Sequence, residues 1–153
     1  KMQKGKFFLS ANQMVRQSIF SYLDMYIHTH NVNAKEAEKE IFNKWKTREL
    51  DERSEFLPTF SHIFSGGYAA GYYSYKWSEV LSSDAFHALK ESGDTYIEQK
   101  EMANKFREKI LSRGGTKDML ENFIEFRGRE PDVKYLLKDN GIFFNEGTLK
   151  NKI

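Results

Sequence analysis

Residues 62–75 read HIFSGGYAAGYYSY, which places one histidine, two adjacent glycines and four tyrosines within fourteen positions. Phenol hydroxyls stay neutral at pH 7 because they titrate near about 10, so they can donate hydrogen bonds to an oxygen that is gaining negative charge. A helix beginning near Tyr68 would carry Tyr68, Tyr72 and Tyr75 on one face at steps of four and three, with Tyr73 pointing elsewhere. His62 would add a donor from the preceding loop. Gly66 and Gly67 would let that loop approach or close over a bound backbone. The competing reading is a tyrosine stripe packed in a core. Phenylalanine would fill a core without three hydroxyls that each need a partner, and Ala69, Ala70 and Gly71 leave room for another chain. These residues read as a donor-rich site for a carbonyl or peptide that lacks its own nucleophile.

Metal chemistry has less to build on. His28 and His30 are two residues apart, which on a helix turns them about 200° from each other. They read as a helix end. His87 and Glu91 are four apart and read as a solvated pair on one face. The sequence contains no HExxH, phosphate-binding loop, dinucleotide fingerprint or GxSxG elbow, so the chain offers no metal-ligating residues of its own.

Composition bounds the rest. The 153 residues are 39% hydrophobic and 15% aromatic, enough for a core and for folding as a single helical domain or fragment. A formal charge of +2, with basic and acidic residues interleaved, gives no basic stripe for nucleic acid. With no cysteine there is neither a disulfide nor a thiolate site, which is compatible with the cytoplasm. No apolar run reaches the length needed to cross a bilayer, and the opening KMQKGKFFLS lacks the pattern of a cleaved leader.

The elements that must hold the tyrosines are helical throughout, so the fold class is all-α. Ser10 is expected to cap a helix to about residue 30, with Val15, Ile19, Leu23, Tyr26 and Ile27 inward. A surface helix follows over about 33–50, with Ala37, Ile41 and Trp45 on one side and Lys and Glu elsewhere. Residues 51–58 read as a loop ending at Pro58. Later helices are expected over about 95–112, with Ile97, Met102, Phe106 and Ile110 inward and Gly114-Gly115 as the stop, and then from a Thr116 cap to Gly128. The last should run over about 131–140, with Pro131 in its first turn and Gly141 past its end. Residues 145–153 are expected to fray.

The segments FSHIFSGGYAAGYYSYKWSEVLSSDAF and ILSRGGTKDMLENFIEFRGREPDVKYLL, preceded by ANQMVRQSIFSYLDMYIH, carry a family resemblance over about 7–142. The chain resembles the zinc metallopeptidase family of thimet oligopeptidase, oligopeptidase A and peptidyl-dipeptidase, and within it the oligopeptidase A branch. The resemblance implies a multi-helical C-terminal portion of a catalytic domain acting on short peptides, with endopeptidase action ahead of dipeptide removal. It implies that His62 contacts the substrate backbone, that Tyr68 follows Gly66 and Gly67 as a mobile donor, that Tyr75 donates to the oxyanion and that Tyr72 lines the subsite. Zinc would be held by HExxH and a more distant glutamate upstream of this chain. The start at Lys1 then reads as that of a fragment, inactive alone and partnered by the upstream part of the same polypeptide. From a different functional class, the alternative is a non-catalytic helical module that binds a peptide or protein.

Overall fold

The computed structural model describes residues 5, 7–45, 53 and 55–142. Among the described residues there are seven α-helices and no strand, as the all-α reading requires. They group into two compact units, Lys1–Trp77 and Ser78–Ile153. No helix among the described residues is long and apolar enough to cross a membrane.

The first unit is built on α1 (Ser10–Thr29) and α2 (Ala34–Lys44). Ser10 does not cap α1. Leu9 takes that position in a left-handed conformation, and the Ser10 hydroxyl donates to the Phe7 carbonyl. The predicted inner face holds, with Ile19, Phe20 and Leu23 buried and Val15, Tyr26 and Ile27 packed against them. Asn33 caps α2 by accepting the Lys35 and Glu36 amides, and Ala37 and Ile41 are buried. Trp45, expected on that face, is exposed at the helix end. The rest of the predicted segment, 46–50, lies outside the described residues.

Pro58 stands in a single 3-10 turn, Leu57–Thr59, and a one-turn helix, α3 (Ser61–Phe64), follows it. Phe20 stacks on Phe56 at 4.6 Å between ring centroids and lies 5.3 Å from Phe60, which meets Tyr72 edge-on at 4.9 Å. Part of the aromatic richness of the sequence is therefore core, where each large apolar side chain contributes roughly 1.5–3 kcal/mol. The acidic side chains of α2 are not all surface. Glu38 is buried, and its carboxylate accepts the Phe56 and Leu57 amides at 2.9 Å each.

A long helix, α4 (Ser74–Glu91), begins in the first unit and supplies Ala85 and Ala88 to the core of the second. There α5 (Tyr96–Phe106), extended by a π turn over Arg107–Leu111, brings Met102, Phe106 and Ile110 against Phe123 and Phe126 of α6 (Met119–Arg127). Ile97 is not inward but exposed, because it lies in the first turn of α5 beyond this packing. Asp118 caps α6 instead of Thr116, whose hydroxyl donates to the Arg113 carbonyl. Gly128 ends α6 at φ 80°, as expected. The last helix, α7, spans Lys134–Asp139, so Pro131 precedes it; Gly141 follows at φ 73°. The expected frayed tail lies outside the described residues.

Candidate functional site

His62 sits on α3, a helical turn, where a loop was expected. The amides of Ser65 and Gly66 both donate to the Ser61 carbonyl, at 2.8 and 2.9 Å, and the Tyr68 amide donates to the His62 carbonyl at 3.1 Å. This closes the chain over His62. A Cβ on Gly66 would fall 2.8 Å from the His62 carbonyl oxygen and 2.9 Å from its Cα, so only glycine fits there. Gly67 follows at φ 78°, a conformation glycine adopts without steric cost. In this structure the glycine pair makes a tight, hydrogen-bonded reversal.

The helix expected to start near Tyr68 starts at Ser74. Residues 69–73 form successive turns instead, with the Gly71 amide bonded to the Tyr68 carbonyl and the Ser74 amide to the Gly71 carbonyl. Ala70 is held at φ 52°, outside helical space. The physical reason lies on α1. The carboxylate of Asp24 accepts the Ala70 amide at 3.0 Å and the Tyr72 amide at 2.9 Å, which fixes a turn where local propensity would permit helix.

The predicted side chains still come together, through this turn and not along a helical face. Ring centroids lie 6.4 Å apart for His62 and Tyr68, 6.0 Å for His62 and Tyr72, 5.0 Å for Tyr72 and Tyr75, and 5.1 Å for Tyr68 and Tyr75. The cluster has two layers. His62, Tyr68 and Tyr75 are exposed, the last two at 36% and 39%. Tyr72 is 8% exposed and packs into the core beneath them, its hydroxyl donating to Gln17 Oε1 at 3.3 Å. Burial pushes the Tyr72 phenol upward against the smaller opposing effects of Gln17 and Arg16. A hydrogen bond with Tyr68, then burial and the nearby Tyr68 and Tyr72 phenols, raise the Tyr75 pKa. Both shifts run toward the neutral phenol, and the Tyr72 proton is already committed to Gln17. Tyr73 lies apart, against Ser18, Ser21, Tyr22, Met25 and Lys76 along a shallow groove.

Asp24 escaped the sequence reading. Its signal was present as one acid inside the apolar run of α1, next to Leu23. That position is fully buried here, and His28 Nδ1 lies 3.0 Å from its carboxylate and 2.8 Å from its main-chain carbonyl. Both neighbours are acceptors, so Nδ1 carries the proton.

Peptidase family M3 matches residues 1–142, which is most of the chain and includes all of this geometry. The chain belongs to peptidase family M3. Among M3 relatives, it is 41% identical over 148 residues to the probable cytosolic oligopeptidase A of Arabidopsis thaliana and 39% identical over 147 residues to oligopeptidase A of Escherichia coli (strain K12). It is 32% identical over 151 residues to the dipeptidyl carboxypeptidase of the same strain. Each alignment covers 93% of this chain and 21% of the relative, so the chain spans about a fifth of the length of these M3 proteins.

Within this M3 segment, no group of three His, Asp or Glu among the described residues could hold a metal ion. The described side chains do not fit a metal centre. The remaining histidines are otherwise engaged. His30 ends α1 and stacks on Tyr26 at 4.5 Å. His87, expected as a solvated partner of Glu91, is buried, with Nε2 at 2.9 Å from Asp139 Oδ1. Glu91 instead bonds the Arg127 guanidinium and the Tyr135 hydroxyl. Helical spacing allowed the pair; α6 and α7 of the same unit supplied nearer partners.

Proposed function

We propose that this chain supplies the carbonyl-binding and transition-state wall of a zinc-dependent oligopeptidase that hydrolyses short peptides, with zinc and its ligands elsewhere in the polypeptide. The observation that carries the reading is the two-layered tyrosine cluster. Tyr68 and Tyr75 expose neutral phenols side by side beside His62, while Tyr72 anchors the same turn in the core. A peptide carbonyl oxygen is a neutral acceptor until water adds to the carbon, when the oxygen becomes an anion and accepts more strongly. Donors fixed in advance gain most at that moment, which lowers the barrier without tightening substrate binding equally. In this reading Tyr75 donates to the oxyanion, Tyr68 assists, and His62 with the Gly66-Gly67 reversal contacts the substrate backbone. Tyr72 supports the subsite from below. Zinc, held by residues outside the described ones, would supply the activation of water when bound.

Across alignments that cover 93% of this chain, identity is higher to the two proteins named oligopeptidase A than to the dipeptidyl carboxypeptidase of Escherichia coli, which supports endopeptidase action. The cytoplasm is proposed as the place of action; one relative is named cytosolic, and a second at the same 41% identity is named organellar. The test uses the full polypeptide and a short peptide with an amidated C-terminus. Cleavage should persist on that peptide, stop with a chelator and return with zinc. Tyr75→Phe should lower kcat by about 10² with KM nearly unchanged. Chelator-resistant cleavage would remove the zinc assignment, failure on the blocked peptide would favour dipeptide removal, and unchanged turnover in Tyr75→Phe would remove the oxyanion role.

A further inference from the structure

We infer that Asp24 is a positioning residue for the tyrosine donors, its buried carboxylate fixing the turn from which Tyr68 and Tyr75 present their hydroxyls. The inference rests on the reading of those tyrosines as substrate-facing donors. It begins from a cost. A carboxylate with no solvent exposure, on the inner face of a helix otherwise lined by Ile19, Phe20 and Leu23, persists only if its oxygens are fully bonded. Packing alone would be served by leucine or methionine.

The bonds show what the acid does. Oδ1 takes the Ala70 amide and Oδ2 the Tyr72 amide, one on each side of Gly71, from positions 46 and 48 residues along the chain. Ala70 between Tyr68 and Tyr72 holds φ 52°, which a residue with a Cβ keeps only where its surroundings over-determine it. The two fixed amides propagate outward. The Tyr68 carbonyl accepts the Gly71 amide, and the Tyr72 carbonyl accepts the Tyr75 amide. Tyr68 stands two residues before one anchored amide and Tyr75 three after the other, so the carboxylate fork sets the spacing of both phenols. His28 completes the arrangement by donating from Nδ1 to the same helical turn.

The full polypeptide is the material for the test, as the parent, Asp24→Asn, Tyr75→Phe and the double variant, with kcat and KM measured on one short peptide. Asparagine keeps the shape but can accept through only one atom. Asp24→Asn should lower kcat about tenfold or more and change KM by less than about threefold. The roughly 10² cost of Tyr75→Phe in the parent should fall below about tenfold in the Asp24→Asn background, because the donor removed there is already misplaced. If Tyr75→Phe costs the same in both backgrounds, Asp24 does not position it and the inference fails. If Tyr75→Phe costs nothing in the parent, the donor reading itself fails, which is a separate result. Should Asp24→Asn not fold, hydrogen exchange on the unsubstituted protein decides. The Ala70 and Tyr72 amides should exchange at least about 100-fold more slowly than free ones, and open-loop rates at these two would overturn the clamp.

Discussion

At Gly66 the geometry of the candidate site reduces to the absence of one carbon. The position has no room for a Cβ because the obstructing atoms are His62 main chain, which cannot swing aside as a side chain can. Gly66→Ala is therefore expected to open the reversal between His62 and Tyr68, costing roughly 1–3 kcal/mol of stability and lowering turnover at least about tenfold. Gly115 serves as a control, since its Cβ would meet nothing within 4 Å. Gly115→Ala should leave peptide cleavage unchanged, and thermal unfolding with parallel kinetics would show the contrast. Tyr68 and Tyr75 differ in kind from Tyr72. Phenylalanine at Tyr72 removes only a hydrogen bond to Gln17, so Tyr72→Phe should cost far less turnover than Tyr75→Phe.

Helices in this chain end in loops, and buried carboxylates hold the loops down. Asp24 on α1 holds the Ala70 and Tyr72 amides, and Glu38 on α2 holds the Phe56 and Leu57 amides. In the second unit Asp84 on α4 takes the Asp132 amide along with Arg127 and Arg129. Glu38 tests this device away from the tyrosines. Glu38→Ala strands two amides near Leu57, itself 2% exposed, and should cost about 2–4 kcal/mol, readable by denaturant unfolding. Periodicity made most helices visible, since Ile19 and Leu23, or Met102, Phe106 and Ile110, repeat at helical steps. Periodicity could not show these acids as buried. An Asp or Glu among apolar neighbours looks like a polar interruption until its amide partners, 18 to 48 residues away, are known.

At the scale of the whole molecule, Asp84 in the second unit links stability to pH. Asp84 is fully buried. Burial alone would push its carboxyl up, but hydrogen bonds from Arg129, Arg127 and the Asp132 amide together outweigh it and hold the group below the ordinary aspartate range. A depressed folded-state pKa means the unfolded chain binds the proton more readily. The stability contributed is complete above about pH 4, the unfolded value, and is lost as pH falls through the lower folded value. Asp84→Asn should thus be less stable than the parent by about 3–5 kcal/mol at pH 7, with the difference shrinking below about pH 4. Equal losses at pH 7 and pH 2 in parallel unfolding curves would contradict this linkage.

By itself the sequence determined the all-α class and most helix positions, and it singled out the residues of the candidate site. It could do so because helical periodicity and the glycine and tyrosine types of residues 62–75 are local properties, written within a few turns of chain. Tertiary structure decided how that site is built. Tyr68, Tyr72 and Tyr75 meet through a turn with Ala70 at φ 52°, Tyr72 goes under and the other two stay out, because Asp24 captures two amides from far along the chain. A carboxylate buried in a core takes whichever donors the fold brings to it, and no spacing rule within one segment encodes which those will be.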